Sequence, residues 1–350
     1  MDAEERALEL IDRVRSKPLK FRDEQITMAH GAGGKASRAL VEGLLAPTLG
    51  VRDLDDAGAV GDLALTTDSY VVKPLRFPGG SIGELAVNGA VNDLAVSGAR
   101  PLALSLSLVL EEGLTADQLR AEVDAIALAA RSAGVEIVAG DTKVVERGHA
   151  DGMYICTTGL GQRDPRARLS PAGVAPGDRI LLSGSIGEHG MAVMLARGEF
   201  ELDAPIESDT ASLWPAADAL LDAAGPGLRC MRDATRGGVA SVLNELARSS
   251  SVAMLVREEA IPVQPAVAGA AEILGIDPMY VANEGKLVGF VAPDAADAAL
   301  AALRSVPGCE GVAEIGEVRT EPPGMVLVET SFGGRRVMDQ LVGDPLPRIC

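Results

Sequence analysis

Two domains of mixed α and β structure, α+β in the first half and α/β in the second, are the fold class this sequence predicts, and three observations carry the prediction. At 350 residues the chain exceeds what one ordinary core organises. Strand-like apolar runs alternate with helical patterns through both halves. A stretch rich in Pro, Arg and Gly at 163–177 breaks the composition between them and reads as a linker. The expected division is an amino-terminal extension at 1–22, a first domain at 23–162, the linker, a second domain at 178–330 and a tail at 331–350. With 47% hydrophobic but only 3% aromatic residues, and 40 glycines, the cores are aliphatic and the turns glycine-rich.

Charge and cysteine usage exclude several functions. A net charge of −18 without a basic run argues against nucleic acid or an anionic membrane as partner, so a bound polyphosphate needs a local site with metal help. There is no long uncharged apolar run, and Glu4, Glu5, Arg6 and Glu9 do not fit a signal peptide, which predicts a cytoplasmic protein with no membrane partner. Cys156, Cys230, Cys309 and Cys350 form no Cys-x-x-Cys pair, so neither a zinc knuckle nor a disulfide framework is indicated. The first three behave as small buried apolar residues.

The elements follow in order. Residues 3–16 place Ala7, Leu10, Ile11 and Val14 at helical spacing. Gly31-Ala32-Gly33-Gly34-Lys35 precedes a helical pattern through Leu45; it fits Gly-x-Gly-x-x-Ala ending at Ala36 and is not a P-loop, since Ala36 stands where Ser or Thr is needed. Its backbone N–H groups either lie on a phosphate or form a plain turn. Residues 63–72 read as a strand holding Asp68 among apolar neighbours, and a carboxylate there needs a partner. Ser81 and Glu84 form a capping box for a helix to about Ser97, stopped by Gly98. Along it Ala86, Gly89 and Ala90 surround Asp93, with Asn92 beside it. A strand at 102–110 precedes a helix begun by Thr115 and Gln118, with Leu119, Val123, Ile126 and Ala130 inward and Gly134 at its end. A strand at 135–139 delivers Gly140-Asp141-Thr142-Lys143 at its carboxyl end, and 153–160 completes the domain.

Asp56, Asp68, Asp93 and Asp141 thus form a dispersed set of acids at or near element ends. Hard oxygen ligands of this kind suit Mg²⁺ bridging nucleotide phosphates, whereas each acid taken singly also fits a cap or turn. Without a nearby His or Cys, zinc is a poor fit.

In the second half a strand at 179–183 leads to Gly187-Glu188-His189-Gly190, where the glycine-flanked His189 reads as a turn residue. Arg232-Asp233-Ala234-Thr235-Arg236-Gly237-Gly238 opens a helix at 239–248; glycines beside Arg and Thr make an anion seat, and Asp233 extends the acid set. Asn283-Glu284-Gly285-Lys286 puts a carboxylate and an amine at the entrance of a strand at 287–291, with a surface ion pair as the plain alternative. Further strands fall near Val312 and Met325. The sequence closes on Pro345-Leu346-Pro347-Arg348-Ile349-Cys350, kept extended by its prolines. From Ser331 such an arm spans roughly 60 Å. It either carries the Cys350 thiol into a site on another domain or subunit, or is a frayed end.

These runs, with Thr67-Asp68-Ser69, Asn92-Asp93-Leu94 and Pro347-Arg348-Ile349-Cys350, resemble the HypE family of hydrogenase maturation proteins, collinearly from about Ile26 to Cys350. That family is part of a superfamily with aminoimidazole ribonucleotide synthetase, selenophosphate synthetase and thiamine-monophosphate kinase. The resemblance implies a homodimer whose amino-terminal sheets pair into a shared barrel, ATP near the interface, and a flexible tail. It also implies the chemistry. A partner carbamoyltransferase loads the Cys350 thiolate, ATP drives dehydration of the carbamoyl group to an S-cyanide, and an iron-carrying scaffold complex receives the cyanide for nickel-iron hydrogenase. Mapped residue by residue, Asp56, Asp68, Asp93, Asp141 and Asp233 go to Mg²⁺ and phosphate charge. Gly31, Gly33, Gly34, Lys35, Asn92, Thr142, Arg236, Gly237 and Gly238, with Asp68 and Asp141, go to the nucleotide. Lys143 faces phosphates or oxyanion, and Glu284 or else Lys143 is the general base. A superfamily kinase or synthetase for a diffusible small molecule leaves the Cys350 ending without a job, and a non-catalytic thiol carrier leaves the acids and Lys143 without one.

Overall fold

The computed structural model describes residues 20–51, 54–198, 202, 204–341 and 348–350, and the helix expected at 3–16 lies outside them. In the first half, the main sheet is built from β1 (Gly58–Val60), β2 (Leu63–Tyr70), β5 (Ala99–Glu111), β6 (Glu136–Val145) and β7 (Met153–Arg163), while β3 (Arg76–Phe77) and β4 (Gly80–Ser81) form a separate ribbon. Strand order is β1-β2-β7-β5-β6, antiparallel except for the β5–β6 pair. Alternation sets its two faces: Ala64 and Thr66 of β2 and Met153 and Ile155 of β7 are buried, whereas Leu63 and Leu65 are exposed on the other side.

The buried face is covered by the helix Ile82–Val96, whose run of Ala, Gly, Val and Leu lets it be enclosed almost all round. It touches β2, β5 and β7 on one side, and β9 (Leu228–Asp233) and the helix Trp214–Ala224 of the second half on the other. Only half of its expected capping box forms. The Glu84 carboxylate accepts from the Ser81 N–H, but the Ser81 hydroxyl, held in β4 opposite Arg76, makes no cap bond. The helix Ala116–Ala133 does carry both halves of its box, from Thr115 and Gln118, and ends at Gly134 with φ 70°. It buries Ile126 and Ala130 but leaves Val123 45% exposed, so Val123 is not the inward residue its spacing predicts.

The largest departure concerns β6. It does not stop at Ala139; Gly140-Asp141-Thr142-Lys143 continues as edge strand, with Asp141 opposite Ser107 and Lys143 opposite Val109. Pairing with a long neighbour overrides the weak strand preference of Gly and Asp.

The second sheet adds β8 (Arg179–Leu182), β10 (Ala253–Arg257), β11 (Leu287–Val291), β12 (Ala313–Arg319), β13 (Val326–Glu329) and β14 (Arg335–Met338) to β9. Its order is β14-β13-β10-β12-β8-β11-β9, and β10–β13 is its single parallel pair, so this half is α+β in its pairing rather than α/β. Both faces are covered, which is why residues 180–182 of β8 and all of β11 read as apolar runs without alternation. The helix Gly238–Ser249 packs on Ile180, Leu182, Val288 and Phe290; the helices Trp214–Ala224 and Ala296–Arg304 pack on Leu181, Leu287 and Val291 together with Ala95 and Val96 of the first half. β14 lies within the stretch expected to be free arm, paired along β13. Among the described residues no helix is long and apolar enough to cross a membrane.

Candidate active site

Asp68 comes from β2, Asp93 from the enclosed helix, Asp233 from the end of β9, Glu284 from the turn before β11 and Asp56 from the segment before β1. The fold gathers these five carboxyls where the two sheets meet across the enclosed helix, and each one's charge is felt by others of the group. Thr66 Oγ1 donates to Asp93 Oδ2 at 2.6 Å, and Arg232 grips Asp56 at 2.5 Å and Asp55 at 2.7 Å. Arg236 stands 3.6 Å from Asp68 and donates to the Gly31 carbonyl at 2.9 Å.

Negative charge here exceeds what the two arginines offset. Burial pushes Asp93 well above the usual carboxylate range, and Asp233, Asp56 and Asp68 push further. Asp233 is pushed up to about 8, chiefly by burial and then by Asp56. Glu284 is raised well up by burial and by Asp233 and Asp68, with Arg236 opposing. Asp56 is raised by burial in spite of Arg232. Beside them the Tyr70 hydroxyl is buried next to Asp68, reaching the helix only because position 89 is Gly. A cation fits this surplus. Among the described residues, however, no three acids, His or Cys stand close enough together to hold one by themselves, so a metal here needs further oxygen ligands such as phosphates.

Asp141, Thr142 and Lys143 are not brought to this group. The row Ser69, Cys156, Ser107, Asp141 crosses the sheet, so Asp141 points to the open face, opposite to Asp68, and lies three strand spacings away, about 14 Å. Lys143 pairs with Asp141 at 2.6 Å, and that contact, with the Thr142 N–H, holds Asp141 below the usual carboxylate range. Asn92, expected at the nucleotide, is a buried tie instead: it donates to the Ala211 and Glu284 carbonyls and accepts from the Leu213 N–H. Lys35 pairs with Asp339 at 2.7 Å.

The glycine-rich segment packs on the second half. The Gly33 N–H donates to Ser37 and the Lys35 N–H to the Leu341 carbonyl, while the Gly33 carbonyl accepts from Ser241, so carbonyls rather than N–H groups face Arg236 and Ser241. Close approach explains its glycines: a Cβ on Gly33, at φ +72°, would stand 2.8 Å from the Arg236 carbonyl oxygen. Gly237 and Gly238 open the helix Gly238–Ser249 with positive φ.

Under this segment lies a cavity of about 110 Å³, lined among others by Gly31, Gly34, Arg236, Tyr280 and Cys350. Cys350 is 8% exposed and Ile349 5%. Their docking rests on residues that sequence reasoning passed over. The Val71 N–H donates to the Cys350 carbonyl at 3.1 Å, and His189 Nε2 donates to the Ile349 carbonyl at 2.6 Å. Arg197 donates to the Arg348 carbonyl at 2.7 Å, and the Arg348 side chain pairs with Asp151. The pairings join residues far apart in sequence, and no local motif reveals them.

Two family models between them cover most of the chain and place it in the class of AIR synthase related proteins. The family described as AIR synthase related protein, N-terminal domain, matches residues 54–162, and its C-terminal domain counterpart matches 175–328. A curated relative, carbamoyl dehydratase HypE of Rhodobacter capsulatus, is 47% identical over 342 residues, covering 95% of this chain and 100% of the relative. The HypE–HypF complex structure aligns at TM-score 0.83 and 44% identity over 87% of this chain and 100% of the other, and HypE in complex with ATP at 0.80 and 43% over 93% and 100%. The chain belongs to the HypE family of carbamoyl dehydratases.

Proposed function

We propose that this chain is the ATP-dependent carbamoyl dehydratase of hydrogenase maturation, converting a carbamoyl group on the Cys350 thiol to an S-cyanide. The observation that carries the reading is Cys350 seated in the small cavity beside Arg236, which also feels the charges of Asp68 and Glu284. An amide oxygen is a poor leaving group. Attack of that oxygen on the γ-phosphorus, with departure of ADP, makes it a phosphate ester; cleavage of the C–O bond then releases inorganic phosphate, and both N–H protons leave as the nitrile forms. Asp56, Asp68, Asp93 and Asp233 would hold Mg²⁺, whose bound charge offsets that of the phosphates. Arg236 holds negative charge at the Cys350 end of the cavity. Glu284 takes an N–H proton: the burial that raises it makes it hold the proton firmly, and Arg236 with cationic charge among the acids favours its ionised form beforehand.

Asp141, Thr142 and Lys143 serve this site from a second copy. In a homodimer whose open sheet faces close into a barrel, the exposed Leu63 and Leu65 are covered and the β6 side chains on that face turn toward the partner. Lys143 then stands to phosphate or oxyanion, or serves as the base in place of Glu284. The flexible tail leaves its docked position to be loaded by a carbamoyltransferase, a partner supported by the HypE–HypF structure, and to deliver cyanide to an iron-carrying scaffold complex. Intact mass analysis after incubation with transferase, carbamoyl phosphate and ATP tests the reading. The carbamoyl adduct is expected to lose one water in the wild type, and Cys350→Ala to show neither step. The same modification on Cys156, Cys230 or Cys309 would overturn it.

A further inference from the structure

Two of the residues that hold the docked tail sit at the ends of one short helix, Glu188–Ala196, with His189 in its first turn and Arg197 just after its last residue. The His189 ring is fully buried, packed edge-on against Phe77 with ring centroids 5.4 Å apart. Its Nε2 meets a carbonyl, which only accepts, so Nε2 carries the proton; Nδ1 is left to accept from the Ser208 hydroxyl at 2.8 Å. Ser208 Oγ is in turn fixed by the Thr210 N–H at 3.2 Å. The ring is thus locked in one tautomer aimed at the Ile349 carbonyl. Burial favours the neutral ring that this requires. At the other end of the helix, Arg197 donates to the Lys73 carbonyl at 2.9 Å as well as to that of Arg348, joining the tail to the segment after β2.

We propose that His189, oriented by Ser208, is a positioning residue that latches residues 348–350 in the site, so that its hydrogen bond to the Ile349 carbonyl sets how much of the time the Cys350 thiol is presented for reaction. The inference rests on the reading of Cys350 as the reacting thiol. It assigns a role to a histidine whose flanking glycines mark only a turn.

The test is labelling of the full-length protein with iodoacetamide, with each cysteine followed by peptide mass. Because the latch bond is buried, His189→Ala is expected to speed Cys350 alkylation about tenfold. Cys230 and Cys309, both buried, report general loosening and are expected to stay protected. His189→Gln, whose amide N–H can donate in place of the ring, is expected to restore most of the protection. In the carbamoylated protein His189→Ala should slow dehydration about tenfold with ATP affinity within about twofold, since the lost bond touches the tail and not the nucleotide. Ser208→Ala, a smaller change, is expected to raise labelling about threefold by freeing the ring. Unchanged Cys350 labelling in His189→Ala and Ser208→Ala overturns the latch, as does parallel labelling of Cys230 and Cys309 or failure of the Gln variant to protect. Labelling needs neither ATP nor carbamoyl phosphate. A wild type that labels as expected but never loses water therefore sinks the dehydratase reading alone.

Discussion

Asp233 closes β9 with its carboxyl buried among Asp56, Asp68 and Arg232, and is pushed up to about 8. An unfolded Asp releases its proton near 3.9, so between roughly pH 4 and 8 the folded chain binds a proton that the unfolded chain does not. Stability contributed by this group therefore falls as pH rises through that window, by at most about 1.4 kcal/mol per pH unit. Asp233→Asn, which cannot ionise, is expected to gain on the wild type steadily from pH 5 to pH 8 in urea melts without nucleotide. A difference that stays flat over that range would show that Asp233 keeps an ordinary carboxyl and that the acids are not crowded. Mg²⁺ with ATP should then stabilise the wild type more at pH 8 than at pH 5.5, since a bound cation favours the ionised carboxylate. At this scale a side chain's type showed where chemistry was available, but not its partner: Asn92 looks like a ligand residue in sequence and serves as a beam between the enclosed helix and the loops at Ala211 and Glu284.

The elements divide by how local their causes are. Thr115, Gln118 and Gly134 bracket one helix, and β11 is an unbroken apolar run; both are legible because capping and double-sided burial leave their mark within a few residues. β6 is not, because Gly140 and Asp141 look like a turn until the thirteen-residue β5 is alongside. The acid group is legible as a list but not as an assembly, since which acids meet depends on strand order and face. His189 is silent for the same reason, its partners lying 19 and 160 residues away. The glycine-rich segment is intermediate: its pattern shows that backbone must come close to something, and the structure supplies Arg236 and Leu341 as that something. Gly33→Ala tests it. The added Cβ at positive φ must push the Arg236 backbone away, and ATP-dependent dehydration is expected to fall about tenfold or more while the melting temperature drops by only a few degrees. Wild-type turnover in this variant would mean that the segment's seat on Arg236 has no part in the reaction.

The whole molecule sets two incomplete groups apart: an acid-rich junction whose ion pairs, among the described residues, come from Arg232 and Arg236, and an edge strand bearing Lys143 on the face away from it. One chain cannot bring them together without breaking its sheet. A two-fold dimer can, where the β6 edge of each copy reaches round to the acid-rich side of the other. Mixing two inactive variants decides whether it does. With Asp68→Asn in one copy and Lys143→Ala in the other, a mixed dimer has one site damaged twice and one site with its own Asp68 and its partner's Lys143 both intact. Random pairing at equal amounts makes half the dimers mixed, so co-refolding the two inactive proteins is expected to recover about a quarter of wild-type dehydration per subunit. If Lys143 instead serves its own subunit, both sites of every mixed dimer are damaged and nothing is recovered. Recovery near zero, in a sample shown by mass to contain mixed dimers, would remove Lys143 from the partner's site.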